Sequence, residues 1–184
     1  MNQSNERNHA LITEEIERLP QGFDDLSEGF LVLVAALRLH GFSIQRADEA
    51  KEPVDDSDDL WAEMGSPSVW IYARSALELS RNLRKNIEQR NTPEYMRDSN
   101  RVIRANLEEQ RRLLGLLEEF YAQHTPVSFH ARLIVETIDD QGESYLKPQG
   151  ASVRVIMGSD AQKKWRDEGQ TEMLAFAKFL ADKL

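Results

Sequence analysis

Between residues 96 and 121, apolar side chains recur at alternating spacings of four and three. They are Met96, Ile103, Leu107, Leu114, Leu117 and Tyr121, with Asn100 and Gln110 at the remaining seam positions. Such a period keeps one helical face turned steadily toward a partner. The preceding segment offers Val69, Ala73, Ala76, Leu83 and Ile87 on a matching face, broadened by Trp70 and Leu77. The pattern predicts two long helices within residues 67–124, folded into an antiparallel hairpin at Arg90-Asn91-Thr92-Pro93. Ser66-Pro67 and Thr92-Pro93 supply the cap-then-proline starts. Gly115 falls inside the second helix, where it costs roughly 1 kcal/mol against alanine. Its presence predicts a close helix contact there.

Upstream, residues 1–9 read as a polar, frayed end. Thr13 begins a short helix through Leu19, with Glu14 and Glu15 in its first turn. Asp24 or Asp25 is expected to cap a second helix running to Gly41. Its middle, Phe30 to Leu37, is apolar on every side, the mark of a buried central helix packed across the hairpin. Residues 42–60 lose periodicity and read as loop, followed by a docking turn at Leu60, Trp61 and Met64.

After Pro126 the period changes to two. Val127, Phe129, Ala131, Leu133 and Val135 alternate with mostly polar residues and predict a strand. A turn at Asp139-Asp140-Gln141-Gly142, a strand over Ser144–Lys147, a turn at Pro148-Gln149-Gly150 and a strand from Ala151 to Met157 follow. A C-terminal helix capped by Ser159 or Asp160 carries Trp165, Met173, Phe176, Ala177, Leu180 and Leu184 on one stripe, with Gly169 dividing it. The expectation is an α+β fold, mainly α. A long helical hairpin sits in an N-terminal bundle (residues 1–125). A three-stranded antiparallel meander covered by a C-terminal helix (126–184) packs on it as one unit.

The chain has no cysteine, which excludes disulfides, thiolate metal sites and cysteine catalysis. Its formal charge of -9 is unevenly spread. Residues 1–65 carry 15 acids against 5 bases, whereas residues 66–112 carry 6 acids against 10 bases. The apolar run Phe30–Leu37 is too short to span a bilayer, and the first residues resemble no signal peptide. A cytoplasmic protein that engages no membrane is expected.

Candidate chemistry is sparse. Val155-Ile156-Met157-Gly158-Ser159-Asp160 resembles the opening strand and loop of the purine-biosynthetic aminoimidazole ribonucleotide mutases. In that family the motif starts a parallel α/β domain. Here an antiparallel meander precedes it and 24 residues follow, so the likeness covers six residues and implies no shared fold. Asp55, Asp56, Asp58 and Asp59 form an acidic loop. It lacks the glycine and the spaced glutamate of a calcium loop, and reads as an acidic partner surface. His124 and His130 flank Pro126, and a metal or acid–base role would draw on Glu118, Glu119 or Asp139. No spacing matches a known ligand set, a nucleophile elbow, a phosphate loop or a dinucleotide fingerprint. No metal, cofactor or catalytic residue is assigned.

The arginines remain. Arg81 and Arg84 lie on the first hairpin helix, and Arg97, Arg101, Arg104 and Arg111 on one side of the second. Such a stripe fits an acidic protein surface or a phosphate backbone. Pairs such as Asp98–Arg101 and Glu108–Arg112 would neutralise part of it. These readings favour a non-enzymatic interaction or adaptor subunit with a protein partner, or a homo-oligomer. The alternatives are a nucleic-acid accessory protein and a small enzyme with a site near His124, His130 and Ser159.

Overall fold

A computed structural model describes residues 3–49, 67–138, 140–152 and 160–184. Helix α1 spans Gln3–Glu17 and α2 spans Glu28–Leu39. Strands β1 (Ser43–Asp48) and β2 (Ser68–Tyr72) precede helices α3 (Leu77–Lys85) and α4 (Pro93–Tyr121). Strands β3 (Leu133–Thr137) and β4 (Ser144–Pro148) then lead to the unbroken α5 (Asp160–Asp182). The architecture is α+β, with a four-stranded antiparallel sheet in the order β1-β2-β4-β3 and a C-terminal helix packed on it.

The first hairpin helix is only partly there. Residues 68–72, Ser-Val-Trp-Ile-Tyr, are β-branched or aromatic apart from the serine, a composition that suits a pleated, half-buried surface. They form β2, burying Val69 and Ile71 on one face while Trp70 meets Tyr145 of β4 edge-on at 4.5 Å. The spacing of Val69, Ala73 and Ala76 imitates a helical face, but the chain becomes helical only from Arg74. The hairpin that exists is α3 against the N-terminal half of α4. Ala73, Ala76, Leu83 and Val102 form a small core of their own there.

Strand β1 falls where periodicity was lost, and the cause is local. The register with β2 shifts between Ile44 and Arg46, so an extra residue interrupts the alternation. Ile44 and Ala47, the buried pair, are therefore three apart, a spacing that fits a helical face and not the period of two of a strand. The sheet thus draws β1 from the stretch read as loop and β2 from the segment read as helical, and four strands replace the expected three.

Other boundaries move too. Helix α1 begins ten residues before Thr13, anchored by Asn8, whose side-chain amide donates to the Ala181 carbonyl at 3.0 Å. Ser27, not Asp24 or Asp25, occupies the N-cap of α2, and its backbone N–H donates to the Glu49 carboxylate at 2.6 Å. The strand expected from Val127 starts at Leu133. Gln149–Ser152 is a 3-10 turn where the third meander strand was to begin; residues 153–159, with the Gly158-Ser159 motif, lie outside the described residues.

The main core forms as the apolar run of α2 requires. Phe30, Leu33, Val34 and Leu37 are fully buried among Met173, Phe176 and Leu180 of α5, the inner face of the sheet and Leu113, Leu117 and Phe120 of α4. Each large side chain so buried contributes roughly 1.5–3 kcal/mol. The close helix contact lies elsewhere than Gly115. A Cβ at Gly115 would meet nothing within 4 Å, whereas one at Gly169 would lie 2.5 Å from the Pro148 ring. Gly115→Ala is therefore expected to stabilise the fold by up to ~1 kcal/mol. Gly169→Ala should destabilise it by roughly 1–2 kcal/mol, because the proline ring cannot swing aside. Urea unfolding of the two variants checks both signs.

Candidate interaction surface

Helix α4 is the element on which the candidate residues converge. Thr92 caps it, accepting a hydrogen bond from the Tyr95 N–H at 3.2 Å, and Pro93 stands at its first position. Its inward face is Val102, Asn106, Leu113, Leu117 and Phe120. Of the six apolar seam residues expected to face a partner helix, only Leu117 is buried. Met96 is 57% exposed and Leu114 40% exposed, while Ile103, Leu107 and Tyr121 are half-buried. The inward face is rotated by roughly a quarter turn from the seam, as residue offsets at 3.6 per turn require.

The seam is closed only in part by this chain. The turn at Gly142 lies against Ile103, and Gln110 donates to the Thr137 hydroxyl of β3 at 3.3 Å. Tyr121 accepts a hydrogen bond from the Leu133 N–H at 2.7 Å, with the Arg132 guanidinium 4.4 Å from its ring centre. Asn100 is exposed.

The arginines divide. Arg97, Arg101, Arg104 and Arg111 all lie on the exposed side of α4. Asp98 stands 3.7 Å from both Arg97 and Arg101, whose side chains remain 69% and 71% exposed. Among the described residues neither Arg104 nor Arg111 forms an ion pair. Arg112 turns the other way. It pairs with Glu109, not Glu108, at 2.6 Å, donates to the His40 carbonyl and lies over the Phe42 ring. On α3, Arg81 is exposed, whereas Arg84 reaches the buried Glu143 at 2.7 Å and so serves the fold. Asp55, Asp56, Asp58 and Asp59 lie outside the described residues.

The histidine pair does not converge either. His124 faces Glu172 of α5, Nε2 to Oε2 at 3.2 Å, and stacks on Phe120. His130 stacks on Trp165 at 3.9 Å. Trp165 and Glu172 are seven residues apart, about 10 Å along α5. Glu119 is taken by Lys183, and Ser159 and Asp139 lie outside the described residues. Among the described residues no three His, Asp or Glu side chains gather as a metal site would need.

Glu172 is the functional-looking residue that the periodicity did not flag. It is fully buried, and among the described residues its Oε1 has no hydrogen-bond partner. Burial, with the Glu172 charge adding to it, pushes the Tyr121 hydroxyl far above the usual tyrosine range. In sequence, Glu172 stands next to Met173 on the apolar stripe. That position alone could have marked it.

No protein-family model matches this chain, nor does any curated protein or solved structure. Among the described residues no helix is long and apolar enough to cross a membrane.

Proposed function

We propose that this chain is a non-enzymatic interaction subunit that docks a protein partner through the outward ridge of α4. The observation that carries this reading is the coincidence, on one helix, of exposed Met96 and Leu114 with exposed Arg97, Arg101, Arg104 and Arg111. An interface needs apolar anchors for affinity and charge for orientation, and this ridge offers both. The α3–α4 hairpin and the sheet hold it in place.

The test is a tagged pull-down from the native host, with and without nuclease, comparing the native chain with Leu114→Arg. A stoichiometric protein that survives nuclease and is lost from the variant is the expected outcome. A protein retained equally by both would overturn the reading.

The arginine spacing favours nucleic acid as the second reading. It predicts binding that falls steeply with salt and drops on Arg101→Glu or Arg104→Glu. Unchanged binding in those variants would dispose of it.

A further inference from the structure

Written as a heptad, the ridge has a stricter order than a stripe. Met96, Ile103, Gln110 and Leu117 occupy d positions, and Asn100, Leu107, Leu114 and Tyr121 occupy a. Arg97, Arg104 and Arg111 then fall on three successive e positions, the flank that pairs charges across a helical seam, with Glu118 on the fourth. All three are exposed. The other flank, position g, is Ser99, Asn106, Leu113 and Phe120, of which the last three are buried, Leu113 and Phe120 in the main core. The ridge is therefore open on its a and e sides and closed on its g side.

That asymmetry selects the occupant. In an antiparallel pair of helices e faces e and g faces g, so a second copy of α4 would set Arg104 against Arg111 on one flank and require the buried g residues of both copies on the other. In a parallel pair e faces g, and here g is buried. Neither arrangement lets α4 pair with itself.

We infer that the ridge takes a different chain: an amphipathic helix with apolar a and d positions and glutamate or aspartate on the flank that meets Arg97, Arg104 and Arg111. This inference rests on the interaction-subunit reading and gives its partner a chemistry. Asp98 balances Arg97 and Arg101 only at 3.7 Å, which leaves the positive flank available.

Two synthetic three-heptad peptides test it, both with Ile at a and Leu at d. One carries Glu at e and g, the other Lys. Fluorescence anisotropy with the full chain at low salt is expected to favour the Glu peptide by at least about tenfold, with the gap closing as salt rises. The triple variant Arg97→Glu, Arg104→Glu, Arg111→Glu changes exposed residues only, and its helical circular dichroism should match the native chain. It should prefer the Lys peptide. Equal binding of the two peptides, no binding of either, or an unchanged preference in the triple variant would each overturn the inference. Sedimentation that shows a native dimer made monomeric by Leu114→Arg would do so too, by naming a second copy as occupant.

The native-host pull-down separates the two levels. A partner lost on Leu114→Arg but kept by the triple variant leaves the subunit reading standing and removes the acidic helix. A partner kept by both removes both.

Discussion

Replacing His124 with alanine is expected to cost roughly 3 kcal/mol of stability, read as a lowered urea midpoint with an unchanged slope. The cost follows from what the histidine leaves behind. Glu172 is fully buried, and its Oε2 has His124 Nε2 at 3.2 Å and the Val127 N–H at 3.5 Å. Without the imidazole, the carboxylate keeps only that long amide contact and the neighbouring Tyr121 hydroxyl. The stacking of His124 on Phe120 at 4.4 Å is lost as well. Glu172→Met should behave in the opposite way. It removes a buried carboxylate and supplies an apolar side chain of similar length among Met173, Phe176 and their neighbours, so stability should hold or rise. His124, being partly exposed, can then turn its ring nitrogens to water. If Glu172→Met instead destabilised the chain as much as His124→Ala, the carboxylate would be a requirement of the fold. The contrast between the two variants thus separates a pair kept for stability from one kept at its expense.

The second large effect is expected at Asn106. Its side chain is 3% exposed and joins three elements. Oδ1 accepts the Ala73 N–H at 2.7 Å, and the amide donates to the Gln141 carbonyl at 2.8 Å. Asn106→Ala strands a backbone donor and a backbone acceptor in places water does not reach, at roughly 1–3 kcal/mol each. A loss of about 3 kcal/mol in chemical denaturation is expected. Asn106→Leu should recover little of it, because added apolar contact cannot satisfy the two backbone groups. Native-like stability in Asn106→Ala would mean that water reaches the site. Asn106 also sits between the two cores of α4, with Val102 in the smaller and Leu113, Leu117 and Phe120 in the larger. Protection of the α3 amides against hydrogen exchange should therefore fall first in this variant.

Both sites were hidden from periodicity for the same reason. Buried polar residues are placed by the partners they meet, and those partners are distant in sequence: Ala73 and Gln141 for Asn106, His124 for Glu172. Asn100 and Gln110, which the seam put forward as its polar members, lie outside the core.

The loop from His124 to His130 shows the converse error. Its alternation is real, but the sense is reversed: Ser128 donates to Glu168 at 2.6 Å and His130 stacks on Trp165, while Val127 and Phe129 are 56% and 67% exposed. The period of two did not make this stretch a strand either: residues 127–132 run as bends and turns before β3 begins at Leu133.

What the sequence determined by itself rests on local physics. An all-round apolar run made α2 a buried helix. Thr92-Pro93 started α4, glycine and proline set the β3–β4 turn and the end of β4, and the spacing of Met173, Phe176, Ala177 and Leu180 fixed the inward face of α5. The arginine side of α4 was legible too, since 3.6-residue geometry needs no partner to define an exposed face. Only the tertiary structure decided that residues 68–72 pair as a strand, because their β-branched and aromatic side chains gain more from Leu146, Tyr145 and Ile44 across a sheet than from a helical turn. It alone decided that β1 exists despite a bulge that erases its period. It also decided that α4 turns Asn106 rather than Asn100 inward, leaving Met96 and Leu114 at the surface, because which stripe of a broad amphipathic helix is buried depends on what is packed against it.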